Sequence, residues 1–188
     1  MLKNILEFRK HLIITGFRNV KIVDLHEFLD KIKKKTPSSI TAQFFDADFV
    51  AGWEHLYFAV FNALLSIKQK RAISKSLGME ILLYASAQHQ IRRATEIIGI
   101  KPESQRIAMI IVSDKAAIAE RALSVISEQA KAQRDESVLE LQTDKVAMIR
   151  KTFGITDNEL NAIETRKNVL EALTDLVIER MALLSTKH

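Results

Sequence analysis

Arg106-Ile107-Ala108-Met109-Ile110-Ile111-Val112 is the stretch whose reading decides the fold. It is an unbroken apolar run flanked by loop signals, and it reads as the clearest strand in the chain. His11-Leu12-Ile13-Ile14-Thr15-Gly16 is a second apolar run, ended by glycine, and Ile40–Phe45 is a third, closed by Asp46-Ala47-Asp48. Ser137–Leu141 reads as a further short strand. Around these strands the spacing is helical at 24–35, 52–71, 79–98, 116–132, 143–152 and 156–185. Ser113-Asp114 looks like an N-cap, and Gly99 like a left-handed terminator with Pro102 just beyond. Thr156 with Glu159 makes a capping box. The expectation is a mixed α/β (α+β) fold in a single domain, 1–188. It has a small sheet covered by about six or seven helices and a long C-terminal helix.

A chain of 188 residues buries roughly 70% of the surface its unfolded form exposes. Hydrophobic residues at 47% and charged residues at 27% are globular values. With no cysteine, a disulfide scaffold, a zinc ribbon, a thiol nucleophile and an iron–sulfur cluster are all excluded. The same absence fits a reducing cytosol, so a cytoplasmic protein is expected. No stretch approaches the roughly 20 apolar residues of a membrane span. The opening MLKNILEFRKHLIITGF has charges scattered through it, unlike a signal peptide.

The net charge of +5 is unevenly distributed. Residues 66–106 carry eight Lys/Arg against three Asp/Glu. Residues 1–65 carry nine against seven, and residues 107–188 eleven against thirteen. The middle segment therefore holds the excess, a footprint suited to phosphates, with a solvated basic helix face as the plain alternative. Lys31-Ile32-Lys33-Lys34-Lys35 is a second basic run, read as a helix C-terminus complementing the dipole.

Within 52–71, Trp53, Leu56, Tyr57, Val60, Phe61, Leu64 and Leu65 share a face that reads as core. His55, Ala59, Asn62, Ser66 and Gln69 lie on another. The last helix is apolar over about 220° of its circumference, where one-sided packing needs little more than 100°. That width points to a partner or oligomer interface over 155–185, with burial in an intramolecular groove as the alternative.

Catalytic motifs are absent. There is no phosphate-binding glycine loop, no dinucleotide turn, no H-E-x-x-H and no nucleophile elbow. His11, His26, His55, His89 and His188 are widely spaced. Asp46 and Asp48 could meet a metal from a turn, but capping is the better reading. Ser86 and His89 lie three apart without an orienting group or an oxyanion site. The residues argue against an enzyme.

The run Ala47-Asp48, His55-Leu56, Ala59, Ala63, then Met79–Ile91 and Ile98-Gly99-Ile100, resembles the kinase-binding subunit family of the archaeal and eukaryotic KEOPS (EKC) complex, the PRPK-binding proteins of humans. The resemblance covers most of the chain. Its most specific part is Glu80-x-Leu82-Leu83-Tyr84-x-Ser86-x-x-x-Gln90-Ile91. The family usually has glycine where Ala87 stands and arginine where His89 stands. Alanine inside a helix should stabilise it by roughly 0.5–1 kcal/mol relative to glycine. Histidine gives up a permanent charge and a planar fork, for which Arg92 or Arg93 would have to substitute.

The resemblance implies a non-catalytic accessory subunit without metal, cofactor or small-molecule substrate of its own. It would bind the small atypical kinase/ATPase of the complex and recruit tRNA through its 3′ CCA end. Threonylcarbamoyl would then be installed on the adenosine beside the anticodon by other subunits. Charge and helical phase nominate Lys70, Arg71, Lys75, His89, Gln90, Arg92 and Arg93 for tRNA, and Leu173, Val177, Met181 and Leu184 for the kinase. The rival readings are a self-associating helical scaffold without nucleic-acid binding, and an enzyme using Asp46, Asp48 or His89.

Overall fold

The apolar run at 106–112 lies in the middle of an antiparallel sheet. The computed structural model describes residues 1–164 and 168–184. Its elements in chain order are β1 (Leu2–Ile5), β2 (Lys10–Arg18), α1 (Leu25–Lys35), β3 (Thr41–Asp46), α2 (Trp53–Lys68), α3 (Leu77–Ser86), α4 (Ile91–Ile98), β4 (Arg106–Ser113), α5 (Ala116–Ala130), β5 (Gln133–Arg134), α6 (Thr143–Phe153), α7 (Asp157–Glu164) and α8 (Val169–Leu184). Short 3-10 turns occupy Leu6–Phe8, Ala47–Phe49 and Glu136–Leu139. The mixed α/β class expected from the sequence is what is found. The chain divides into two compact units, Met1–Ala47 with Ile100–Val138, and Asp48–Gly99 with Leu139–His188.

The first unit holds the sheet, in the order β1-β2-β4-β3, with β1 and β5 both paired to β2. In register, Ile13 faces Ile111, Thr15 faces Met109, and Phe44 faces Met109 from the other side. One sheet face (Ile13, Phe17, Phe44, Ile107, Met109, Ile111) packs with Ile32 of α1 and Ala119, Ala122 and Ile126 of α5. The alternate residues Leu12, Ile14, Phe45, Ala108, Ile110 and Val112 are buried too. Burial on both faces is why β4 reads as a solid apolar run instead of an alternation.

Gly16 does not end β2, which continues to Arg18. A Cβ on Gly16 would sit 2.2 Å from Val138 Cγ2 and 2.6 Å from the Asp135 carbonyl oxygen. The glycine is needed because the 135–138 segment crosses directly over the strand. Ser137–Leu141, expected as a strand, is largely the 3-10 turn Glu136–Leu139, and the strand pairing falls earlier, at Gln133–Arg134. Strand β1 was not read from the sequence.

The second unit is helical. Helix α3 packs against α2, α4 and α8, and is buried at Gly78 and from Glu80 through Ser86. The buried face of α2 is His55, Leu56, Ala59, Val60, Ala63, Leu64 and Ser66. Trp53 and Tyr57 are only half-buried, and Phe58 is exposed. Of the face expected as core, Leu56, Val60 and Leu64 are buried as expected, while its aromatic members Trp53, Tyr57 and Phe61 are only half-buried. The rings form an edge-to-face series, Trp53–Tyr57 at 6.2 Å and Tyr57–Phe58 at 5.5 Å.

Two expected helices are each divided. The 79–98 pattern splits into α3 and α4 at Ala87–Gln90. The 156–185 pattern splits into α7 and α8, because the Asn168 carboxamide oxygen accepts from the Glu171 N–H at 3.0 Å and caps a new start. Residues 165–167 and 185 of that expected helix, and His188, lie outside the described residues. Gly99 is not left-handed (φ −68°). A Cβ there would meet the Thr95 carbonyl oxygen at 2.5 Å, so space and not φ selects glycine. Among the described residues, no helix is long and apolar enough to cross a membrane.

Candidate functional site

The nominated cations sit in the second unit, at the two ends of α3. At its N-terminal end, the loop 69–76 carries Lys70, Arg71 and Lys75, all exposed and without an ion pair among the described residues. Helix α2 closes with the Lys70 N–H on the Ile67 carbonyl (3.1 Å) and the Arg71 N–H on that of Ser66 (2.9 Å). This is a Schellman closure with Lys70 left-handed at φ 58°. The loop is then tied inward by Glu80, a fully buried carboxylate of α3. It accepts from the Ser66 hydroxyl at 3.2 Å, the Ile73 N–H at 3.3 Å and the Ser74 N–H at 2.7 Å.

At the C-terminal end of α3 the Ala87 N–H reaches the Tyr84 carbonyl (2.9 Å) and the Gln88 N–H that of Leu83 (3.0 Å). Ala87 is the left-handed residue of this second Schellman closure, at φ 52° and ψ 40°. The expected stabilisation by alanine is thereby reversed. The site is a helix C-cap, where a Cβ costs energy and glycine is the favoured residue. His89 and Gln90 follow, exposed, and Arg92 and Arg93 open α4. Both arginines share Glu96, at 3.1 and 3.5 Å. Such exposed pairs are weak and readily exchanged for a phosphate. The ten residues of α3 separate the two groups by about 15 Å along its axis. The basic middle is therefore two clusters. The second unit as a whole is close to neutral, with thirteen Lys/Arg against twelve Asp/Glu, because 139–188 supplies acids.

Beside the Ala87 turn lies a cavity of about 120 Å³, lined by residues 86–88 with Thr152, Phe153, Arg180 and Leu183. It offers a phenyl ring, an amide, a hydroxyl and a guanidinium. Arg180 is held by Glu159 and by the Phe153 carbonyl. Glu159 is the acid of the expected capping box, accepting from the Thr156 N–H at 2.8 Å. That bond, with Arg180 and the Thr156 hydroxyl, holds its carboxyl down at about 2. Beneath the turn, buried His55 accepts from the Ala51 N–H at 3.1 Å and donates to the Ala85 carbonyl at 2.8 Å. Burial lowers its pKa to about 4, so the ring is neutral at ordinary pH.

The four residues expected to anchor a partner are inside the protein. Leu173 and Val177 pack with Ala51, Ile149 and Phe153, and Met181 and Leu184 are also buried. The wide apolar arc of α8 is explained by burial on several sides, the groove alternative, and the basis for a dimer through these positions goes with it. The outward face of α8 is instead Glu171, Asp175, Glu179, Ala182 and Leu183.

Asp46 and Ser86 also find structural roles. Asp46 accepts from the Ser104 hydroxyl at 2.7 Å, and Ser86 donates to the Leu83 carbonyl at 3.1 Å. Among the described residues, no three His, Asp or Glu side chains gather as a metal site. Sequence reasoning missed Glu80, His55 and Arg180 as organisers. Only Glu80 carried a signal, as the acid opening the most specific stretch of the resemblance.

The chain matches the model of the kinase binding protein CGI-121 family over residues 17–185. It is 35% identical over 145 residues to the regulatory protein Cgi121 of Methanocaldococcus jannaschii, a match covering 77% of this chain and 83% of that protein. Fold class, the motif on α3 and the extent of these matches agree, and the chain belongs to the CGI-121 family of kinase-binding proteins.

Proposed function

We propose that this protein is a non-catalytic, cytoplasmic accessory subunit of a KEOPS-type complex. It binds the small atypical kinase/ATPase and recruits tRNA by its 3′ CCA end, in support of threonylcarbamoylation of the adenosine next to the anticodon. The observation that carries the tRNA half is the pair of exposed cation clusters flanking α3, one of them free of counter-ions. Lysine and arginine there engage phosphates, while His89, Gln90 and the adjoining cavity offer polar and aromatic groups to unstacked bases. The kinase half is supported by family membership. Docking through Leu173, Val177, Met181 and Leu184 would require α8 to leave its groove. Val169 and Leu183 are the large apolar side chains of α8 that are exposed among the described residues.

Light-scattering chromatography of the protein mixed with the kinase, with and without tRNA, tests both halves. A kinase complex that retains tRNA is expected. Failure to bind the kinase refutes the subunit reading, and a kinase complex that excludes tRNA refutes recruitment.

A further inference from the structure

Glu80 is fully buried, and no lysine or arginine pairs with it among the described residues. A buried carboxylate without a counter-ion is unfavourable unless donors replace its water. Here two of the donors come from the loop it faces and the third from α2. Two are the successive backbone amides of Ile73 and Ser74, at 3.3 and 2.7 Å, and the third is the Ser66 hydroxyl at 3.2 Å. Successive amides converging on an anion form a small nest, and this nest is filled from within. The amides it draws inward lie between Lys70 and Arg71 on one side and Lys75 on the other.

We propose that Glu80 is the positioning residue of the basic loop: by holding the amides of residues 73 and 74 it fixes the backbone between the three free cations and pre-orders them for phosphate oxygens. Pre-ordering removes an entropic cost that three flexible side chains on a loose loop would carry on binding. This rests on the reading that the loop engages tRNA. The carboxylate is required because it only accepts. Glutamine in its place turns an NH2 group toward one of the amides, donor against donor.

The test is tRNA binding by the full chain at fixed salt, as a double-mutant cycle. Glu80→Gln is combined in turn with a neutral loop (Lys70→Ala, Arg71→Ala, Lys75→Ala) and with Arg92→Ala, Arg93→Ala. Glu80→Gln alone is expected to weaken binding about tenfold. It should cost the same in the Arg92/Arg93 background and nothing further in the neutral-loop background. A general loss of structure cannot produce that selectivity. Equal loss in all backgrounds, or no loss, overturns the positioning role while leaving the tRNA reading intact. A neutral loop that binds like wild type overturns the loop's part in tRNA binding, and the positioning role with it. Should Glu80→Gln not fold, Ser74→Pro removes the 2.7 Å donor from the loop side with the carboxylate kept, and the same pattern is expected.

Discussion

Replacing Ala87 by glycine should stabilise this protein, although Ala→Gly within a helix costs about 1 kcal/mol. The difference lies in the backbone. Ala87 has φ 52° and ψ 40°, where a Cβ crowds the following carbonyl at a cost of roughly 1–2 kcal/mol. Glycine removes that crowding. Against it stands the greater freedom of glycine in the unfolded chain, about 0.4–1 kcal/mol, and the loss of a half-buried methyl that touches the helical core. The balance is a gain of about 0.5 kcal/mol, worth 1–2 °C in Tm for a chain of this size. Thermal and urea unfolding read it, with Ala59→Gly as control. Ala59 is buried mid-helix in α2, and its loss should cost at least 1 kcal/mol. If Ala87→Gly destabilises the protein as Ala59→Gly does, Ala87 is an ordinary helical residue and the Schellman reading of this turn is wrong.

The same logic at Lys70, also left-handed, separates stability from binding. Lys70→Gly should unfold no earlier than wild type yet bind tRNA more weakly with a shallower salt dependence, read by filter binding over a salt series. Gly16→Ala, with its Cβ 2.2 Å from Val138, should cost about 2–3 kcal/mol in urea unfolding. His55 makes stability fall with acid. Its pKa is lowered from 6.5 to about 4 in the fold, so between those values the unfolded chain binds the extra proton and acid favours it. Stability is complete above pH 6.5 and declines by about 3 kcal/mol as pH falls to 4. His55→Gln, which does not titrate, should flatten that part of the urea-midpoint profile.

The sheet was legible because its strands are buried on both faces. Leu12–Ile14 and Ile107–Val112 are apolar at every position, a signal that survives without knowing the partner strands. The helices with one apolar face, α1 and α5, were legible for the same kind of reason. Where both faces are apolar, periodicity stops locating boundaries. The apolar pattern runs on from α3 into α4, and the break is set by a left-handed alanine that composition cannot reveal. The cations were legible as a cluster in sequence but not as two groups 10 residues of helix apart. Glu80 was visible only as a letter in a motif, because its role depends on amides of residues 73 and 74 folding back onto it. The burial of Leu173, Val177, Met181 and Leu184 was not legible, because the width of an apolar arc says how much is covered and not by what.

The most direct test of tRNA recruitment compares binding to intact tRNA and to the same tRNA with its 3′ CCA trimmed, over a salt series. The expected result is loss of binding on trimming, at salt concentrations where intact tRNA is still held. Equal and steeply salt-dependent binding of the two would mean that the clusters around α3 attract phosphate without recognising the end. That result would contradict recruitment through the 3′ terminus.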